Sequence, residues 1–160
     1  RKKIHGYNNA ARHTPWLVLV DLDRDADCAP LLRDDWLTAP APKLCFRIAV
    51  RQVEAWLLAD SRTLAEFLGI APRRFPSDPE MLDDPKATMV ALARQSRRRD
   101  VRVHMVPREG AGRAVGAAYT SMLIAFVEEK WRPGVAARTS ESLQRTIKCL
   151  QRLAQGGRIT

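Results

Sequence analysis

Apolar side chains cluster in this chain at two different spacings. Trp16-Leu17-Val18-Leu19-Val20 is an unbroken apolar run rich in β-formers, and Leu44-Cys45-Phe46-Arg47-Ile48-Ala49-Val50 is a second, interrupted only by Arg47. Runs of this length bounded by polar loops predict strands buried in a parallel sheet. Elsewhere the spacing turns helical. Arg51 to Ala59 reads as a helix and Ser61 to Leu68 as another, stopped by Gly69. Asp84-Pro85 supplies an N-cap followed by proline at the first helical position, opening a helix to about Ser96. Val101 to Val106 alternates through Arg102 and His104 and is expected as a strand. A turn over Pro107 to Gly112 leads to a long apolar helix from Val115 to Trp131 and an amphipathic one from Glu141 to Ala154. On the last, Leu143, Ile147, Leu150 and Leu153 form the apolar stripe, and Arg145, Lys148 and Arg152 share another face. Strands alternating with helices predict an α/β domain with a small, mainly parallel sheet flanked by helices.

The 160 residues are enough for one core without metal or disulfide support, since a chain of this size buries about 70% of its extended surface. Cys28, Cys45 and Cys149 are far apart and odd in number, which suggests neither a disulfide framework nor a zinc knuckle and fits the cytoplasm. The longest uncharged stretch lies between Arg113 and Glu128 and falls short of the roughly 18 to 20 apolar residues a membrane span needs. No membrane partner is expected.

Charge sharpens the picture. The net charge is +9, from 27 Lys and Arg against 18 Asp and Glu, and the excess falls after residue 93. Arginine dominates, and its planar fork suits phosphate. Arg94, Arg97, Arg98, Arg99 and Arg102 stand within nine positions. A polyanionic partner, DNA or RNA, is one reading; a merely solvated basic surface is the other.

Three acids are placed for chemistry. Asp21 and Asp23 end the first strand with one residue between them, so both project to the same side at the carboxyl edge of the sheet, where open α/β sheets place ligands. Two such carboxylates suit a hard divalent cation, or they cap the next element. Glu54 shares the apolar face of its helix with Val50, Leu57 and Leu58. A carboxylate there costs several kcal/mol unless a metal, a donor or a cation such as Arg47 or Arg51 compensates. Lys86, in the first turn of its helix, opposes the helix dipole, which a nearby reacting phosphate would offset. Gly110, Gly112 and Gly116 lack the lysine and hydroxyl of a P-loop and read as turn residues. The histidines have no ligand spacing, and the four tryptophans read as core anchors.

The segments Leu17-Val18-Leu19-Val20-Asp21-Leu22-Asp23, Phe46 through Glu54 to Asp60, and Asp84-Pro85-Lys86 together resemble a bacterial Toprim-like family of defence loci, similar to the Toprim domain of OLD-family nucleases. The resemblance runs through Ser140-Glu141-Ser142-Leu143. It implies a Toprim-like, Rossmann-like fold and a nuclease requiring Mg²⁺ or Mn²⁺. Asp21, Asp23 and Glu54 would be the metal ligands and Lys86 would stabilise charge on the phosphate. It also implies a role in anti-phage defence beside an AAA/ABC-type ATPase. Residues 1–160 are expected to form one Toprim-like domain lacking its N-terminal, glutamate-bearing strand, with a basic helical C-terminal part at 115–160. Arg47, Arg51, Arg97, Arg98, Arg99, Arg145, Lys148 and Arg152 are the candidate nucleic-acid contacts. The alternatives are a non-catalytic nucleic-acid-binding or ATPase-docking subunit and, less favoured, a phosphatase of the haloacid-dehalogenase kind, suggested by the apolar strand before Asp21-Leu22-Asp23. In the latter, Asp25 stands where that family has Thr or Val.

Overall fold

A computed structural model describes residues 3–157. The chain divides into two compact units, one formed by residues 1–53 and 141–160 and the other by residues 54–140.

The first unit is α/β. It contains α1 (Ile4–Ala10), β1 (Trp16–Asp21), α2 (Ala29–Trp36), β2 (Leu44–Ala49) and α9 (Glu141–Ala154). β1 and β2 pair in parallel, with Val18 opposite Phe46 and Asp21 opposite Ala49, and α2 makes the crossover between them. Parallel neighbours need such a crossover because their ends lie at opposite edges of the sheet. The core joins Ile4, Leu22, Leu32, Leu37, Leu44, Phe46 and Ile48. Ring stacking of Trp36 on Phe46 fixes α2 against β2. On the opposite face of β2, Cys45 is bonded to Cys149 of α9 in a disulfide, with the Cα atoms 6.1 Å apart.

Three expectations are corrected in this unit. β2 is buried as predicted, but β1 is not: Trp16, Leu17 and Leu19 are 37–41% exposed. Among the described residues both strands have a strand neighbour on one side alone, but α2 and α9 pack on β2 whereas α1 packs on β1. The buried seam of α9 is also rotated from the expected stripe. Ser142, Leu143, Thr146 and Cys149 face inward and Leu150 is exposed, because the bond to Cys45 orients the helix on Cys149. The Cys45–Cys149 bond was itself not expected from the cysteine spacing.

The second unit contains helices and no strand among its described residues. It holds α4 (Ser61–Leu68), α5 (Pro85–Arg94), α6 (Arg99–Met105), α7 (Tyr119–Glu129) and the short α8 (Pro133–Ala136), and α3 (Val53–Leu58) leads into it. Leu57, Leu58, Leu64, Leu68, Met89, Val101, Met105, Tyr119, Leu123 and Phe126 form its core. Local sequence accounts for several boundaries. Gly69 ends α4 in the left-handed conformation at φ 66°, and the Asp84 carboxylate accepts the Ala87 N–H at 2.8 Å to start α5.

Residues 101–106 were expected as a strand, but most of this segment lies in α6. In Val-Arg-Val-His-Met the alternating and the i, i+4 patterns coincide at Val101 and Met105. The helical pairing prevails: both are fully buried, whereas Val103 is 53% exposed. The apolar helix expected from Val115 begins only at Tyr119. Gly116 donates its N–H to Met105 and Ala118 donates to His104, an approach so close that a Cβ on residue 116 would strike the His104 carbonyl. This backbone contact holds the chain out of the helix. Among the described residues no helix is long and apolar enough to cross a membrane.

Candidate functional site

In the first unit, Asp21 and Asp23 lie at the carboxyl end of β1, as expected from the strand. Both reach the turn that follows β2. An Asp21 carboxylate oxygen accepts the Val53 N–H at 2.9 Å, and an Asp23 oxygen accepts from the Gln52 side-chain amide at 3.1 Å. The backbones meet as well, with Asp23 N–H donating to the Arg51 carbonyl at 2.8 Å and Arg51 Nη1 returning a bond to the Asp23 carbonyl at 3.1 Å. Asp23 and Arg51 sit at φ 43° and 56°, a region uncommon for residues other than glycine and most accessible to Asn and Asp. Two carboxylates are thereby gathered on residues 51–53 at the carboxyl edge of the parallel pair. Arg51 is engaged in holding this loop.

In the second unit, Glu54 is 4% exposed. Its partners are neither Arg47 nor Arg51. Tyr119 donates its hydroxyl to Glu54 Oε1 at 3.1 Å, and Lys86 Nζ stands 3.8 Å from the same oxygen. Burial, then the charge of Glu54 and the hydrogen bond to it, push the Tyr119 hydroxyl far above its ordinary value, so it remains a donor. Tyr119 was not among the residues singled out from the sequence; its place on an otherwise apolar face, like that of Glu54, was the available signal. The structure therefore brings Glu54 and Lys86 together within one unit, and Asp21 and Asp23 together within the other.

The arginines expected to contact nucleic acid fall into distinct settings. Arg97 and Arg99 are exposed. Arg98 is committed to the fold: it donates to the Phe67 carbonyl at 2.8 Å and pairs with Asp100 at 2.5 Å, and the hydrogen bond to Asp100 raises its proton affinity. It also lines a cleft of about 290 Å³ with Thr63, Glu66, Phe67, Glu129 and Lys130, where two acids balance two bases. On α9, Arg145 pairs with Glu141 at 2.5 Å and Lys148 donates to Gln144 at 3.2 Å, while Arg152 is exposed. Arg47 of β2 is partly buried. Its Nε is sequestered with no acceptor, and burial together with the fields of Arg33, Arg152 and Arg145 lowers its proton affinity.

Among the described residues no group of three or more His, Cys, Asp or Glu side chains is placed to hold a metal ion. The Asp21 and Asp23 pair nonetheless has the right donor chemistry for Mg²⁺ or Mn²⁺. Mg²⁺ usually keeps several waters and is bound through one or two carboxylates plus substrate phosphates. No family model, curated protein or solved structure matches the chain.

Proposed function

We propose that the protein is a Toprim-like, divalent-metal-dependent nuclease acting on the phosphodiesters of DNA or RNA. The observation carrying this reading is the gathering of Asp21 and Asp23 on residues 51–53 at the carboxyl edge of a parallel strand pair. Asp21 and Asp23 would hold the Mg²⁺ or Mn²⁺, which when bound polarises a phosphate and acidifies a water. The Val53 N–H and the Gln52 amide orient the two carboxylates, and Arg51 secures the loop that carries Asp23. The net charge of +9 draws the nucleic-acid backbone toward the protein and makes binding fall steeply with salt.

The test is cleavage of plasmid and single-stranded RNA in Mg²⁺ and Mn²⁺ by wild type and Asp21→Asn. Asparagine keeps an acceptor for the Val53 N–H but lacks the charge a cation needs. Cleavage is expected to drop about 100-fold or more, with binding in EDTA nearly unchanged. Undiminished cleavage by Asp21→Asn, or none by wild type on either substrate, refutes the reading.

A second reading is a non-catalytic nucleic-acid-binding or ATPase-docking subunit. It is favoured by Glu54, whose Oε1 already receives Tyr119 and faces Lys86, as in a structural ion pair. Binding without cleavage would select it.

A further inference from the structure

In the first unit the disulfide places three arginines on one seam. Arg47 follows Cys45 by two residues on β2, so both side chains leave the same face of the strand. Arg145 and Arg152 lie four residues before and three after Cys149 on α9, so both flank the turn that the disulfide draws onto β2. Arg33, on α2, adds its field to the same place.

The charge there is not balanced among the described residues. Arg145 has Glu141 at 2.5 Å and Arg33 has its neighbour Asp34 at 3.2 Å. Arg47 and Arg152 form no ion pair among the described residues, and the buried Arg47 Nε has no hydrogen-bond acceptor among them. A partly buried guanidinium pressed by like charges is unfavourable for the fold by itself. An anion would offset both the desolvation and the repulsion.

We infer that Arg47, Arg145 and Arg152 form a phosphate-binding seat for a nucleic-acid backbone, held together by the Cys45–Cys149 bond. The seat deepens the proposed function by giving the substrate strand a fixed anchor in the same unit as Asp21 and Asp23. It needs no metal. A guanidinium fork reads phosphate oxygens without reading base identity, so the seat is indifferent to sequence.

The experiment measures fluorescence anisotropy of a labelled 20-nucleotide single strand in EDTA over a salt series. It compares wild type, Arg47→Gln, Arg152→Gln and, as a control from the second unit, Arg94→Gln. Arg152 is exposed, so its variant folds even if the Arg47 variant does not. Both seat variants are expected to bind about five- to tenfold more weakly. Each should also lose about 0.7 from the slope of log K against log salt, the worth of one phosphate contact on a single strand. The Arg94 variant should change less than twofold. Equal affinity and slope for wild type and both seat variants overturns the inference, as does absence of binding by wild type. Cleavage in Mg²⁺ separates this inference from the proposed reaction. Loss of binding in the seat variants with no cleavage by wild type leaves the seat standing and removes the nuclease. Cleavage by wild type with binding indifferent to Arg47 and Arg152 does the reverse.

Discussion

The two units treat buried charge in opposite ways. In residues 54–140, each buried carboxylate is answered from within. Asp60 has a fully buried side chain and accepts from the Arg132 backbone N–H at 3.0 Å, from Nε at 3.1 Å and from Nη2 at 2.5 Å. Glu54 has Tyr119 and Lys86. In residues 1–53 and 141–160, Arg47 is partly buried, its Nε has no acceptor among the described residues, and the charges bearing on it are those of further arginines. Paired charges of the first kind maintain a structure. An unpaired one is tolerated at a cost in stability, which is the condition expected where a protein awaits a ligand.

The largest expected effect tests whether the first unit depends on its cross-link. Its sequence is split by the whole of residues 54–140, and the bond between Cys45 and Cys149 spans 104 positions. Closing a loop of that length restricts the unfolded chain by roughly 4 to 5 kcal/mol in the chain-entropy account. Cys149→Ser should therefore lower stability in urea by about 4 kcal/mol, relative to the oxidised wild type. It should also weaken the oligonucleotide binding described above, because α9 is no longer tied to β2. A loss below about 1 kcal/mol would mean that packing of α9 alone suffices.

Next in size is the removal of an internally answered charge. Asp60→Ala deletes the three hydrogen bonds from Arg132 and leaves the Arg132 backbone N–H without its acceptor, a loss of about 3 kcal/mol at neutral pH. Burial alone would raise the Asp60 carboxyl, but the bonds from Arg132 outweigh it and hold it below its ordinary value. A depressed folded-state pKa means the contribution is complete above the unfolded carboxylate value and disappears as pH falls through the lower folded value. Urea unfolding from pH 7 down to pH 3 should thus show the gap between wild type and Asp60→Ala narrowing on acidification. A gap independent of pH would assign the loss to the cavity rather than the charge.

How far these contrasts could be read in advance depends on how local their causes are. β2, the Gly69 stop, the Asp84-Pro85 start and the extent of α9 rest on neighbouring residues, and all were legible. So was the burial of Glu54, from its place on an apolar helical face. Its partners were not: Tyr119 is 65 positions away, and nothing in the spacing of Lys86 points to it. The late start of α7 is set by the Gly116 backbone meeting residues 104 and 105, the orientation of α9 by a cysteine 104 positions distant. α6 failed for a different reason, since five residues of Val-Arg-Val-His-Met satisfy two periodicities and only the surrounding core decides between them. The exposure of β1 follows from which helices cover it: α2 and α9 pack on β2, whereas α1 packs on β1, and an apolar run does not specify this. Asp21 and Asp23 were legible as a strand-end pair. Their grip on Gln52 and Val53 required the fold.

The smallest effect is the most discriminating because its sign is opposite. Methionine matches the length of much of the arginine side chain and packs adaptably, without charge or donors. At position 47 it would remove the unanswered Nε, the desolvated charge and the repulsion from Arg33, Arg145 and Arg152. Replacing a poorly compensated buried charge by an apolar group of similar volume is commonly neutral or stabilising. Arg47→Met is therefore expected to raise stability by about 1 kcal/mol in urea with an unchanged m-value, while weakening oligonucleotide binding. Asp60→Ala moves stability the other way. Should Arg47→Met instead destabilise by about 1 kcal/mol or more, Arg47 would be serving the fold as Asp60 does, and the distinction between a self-sufficient unit and one completed by an anion would be lost.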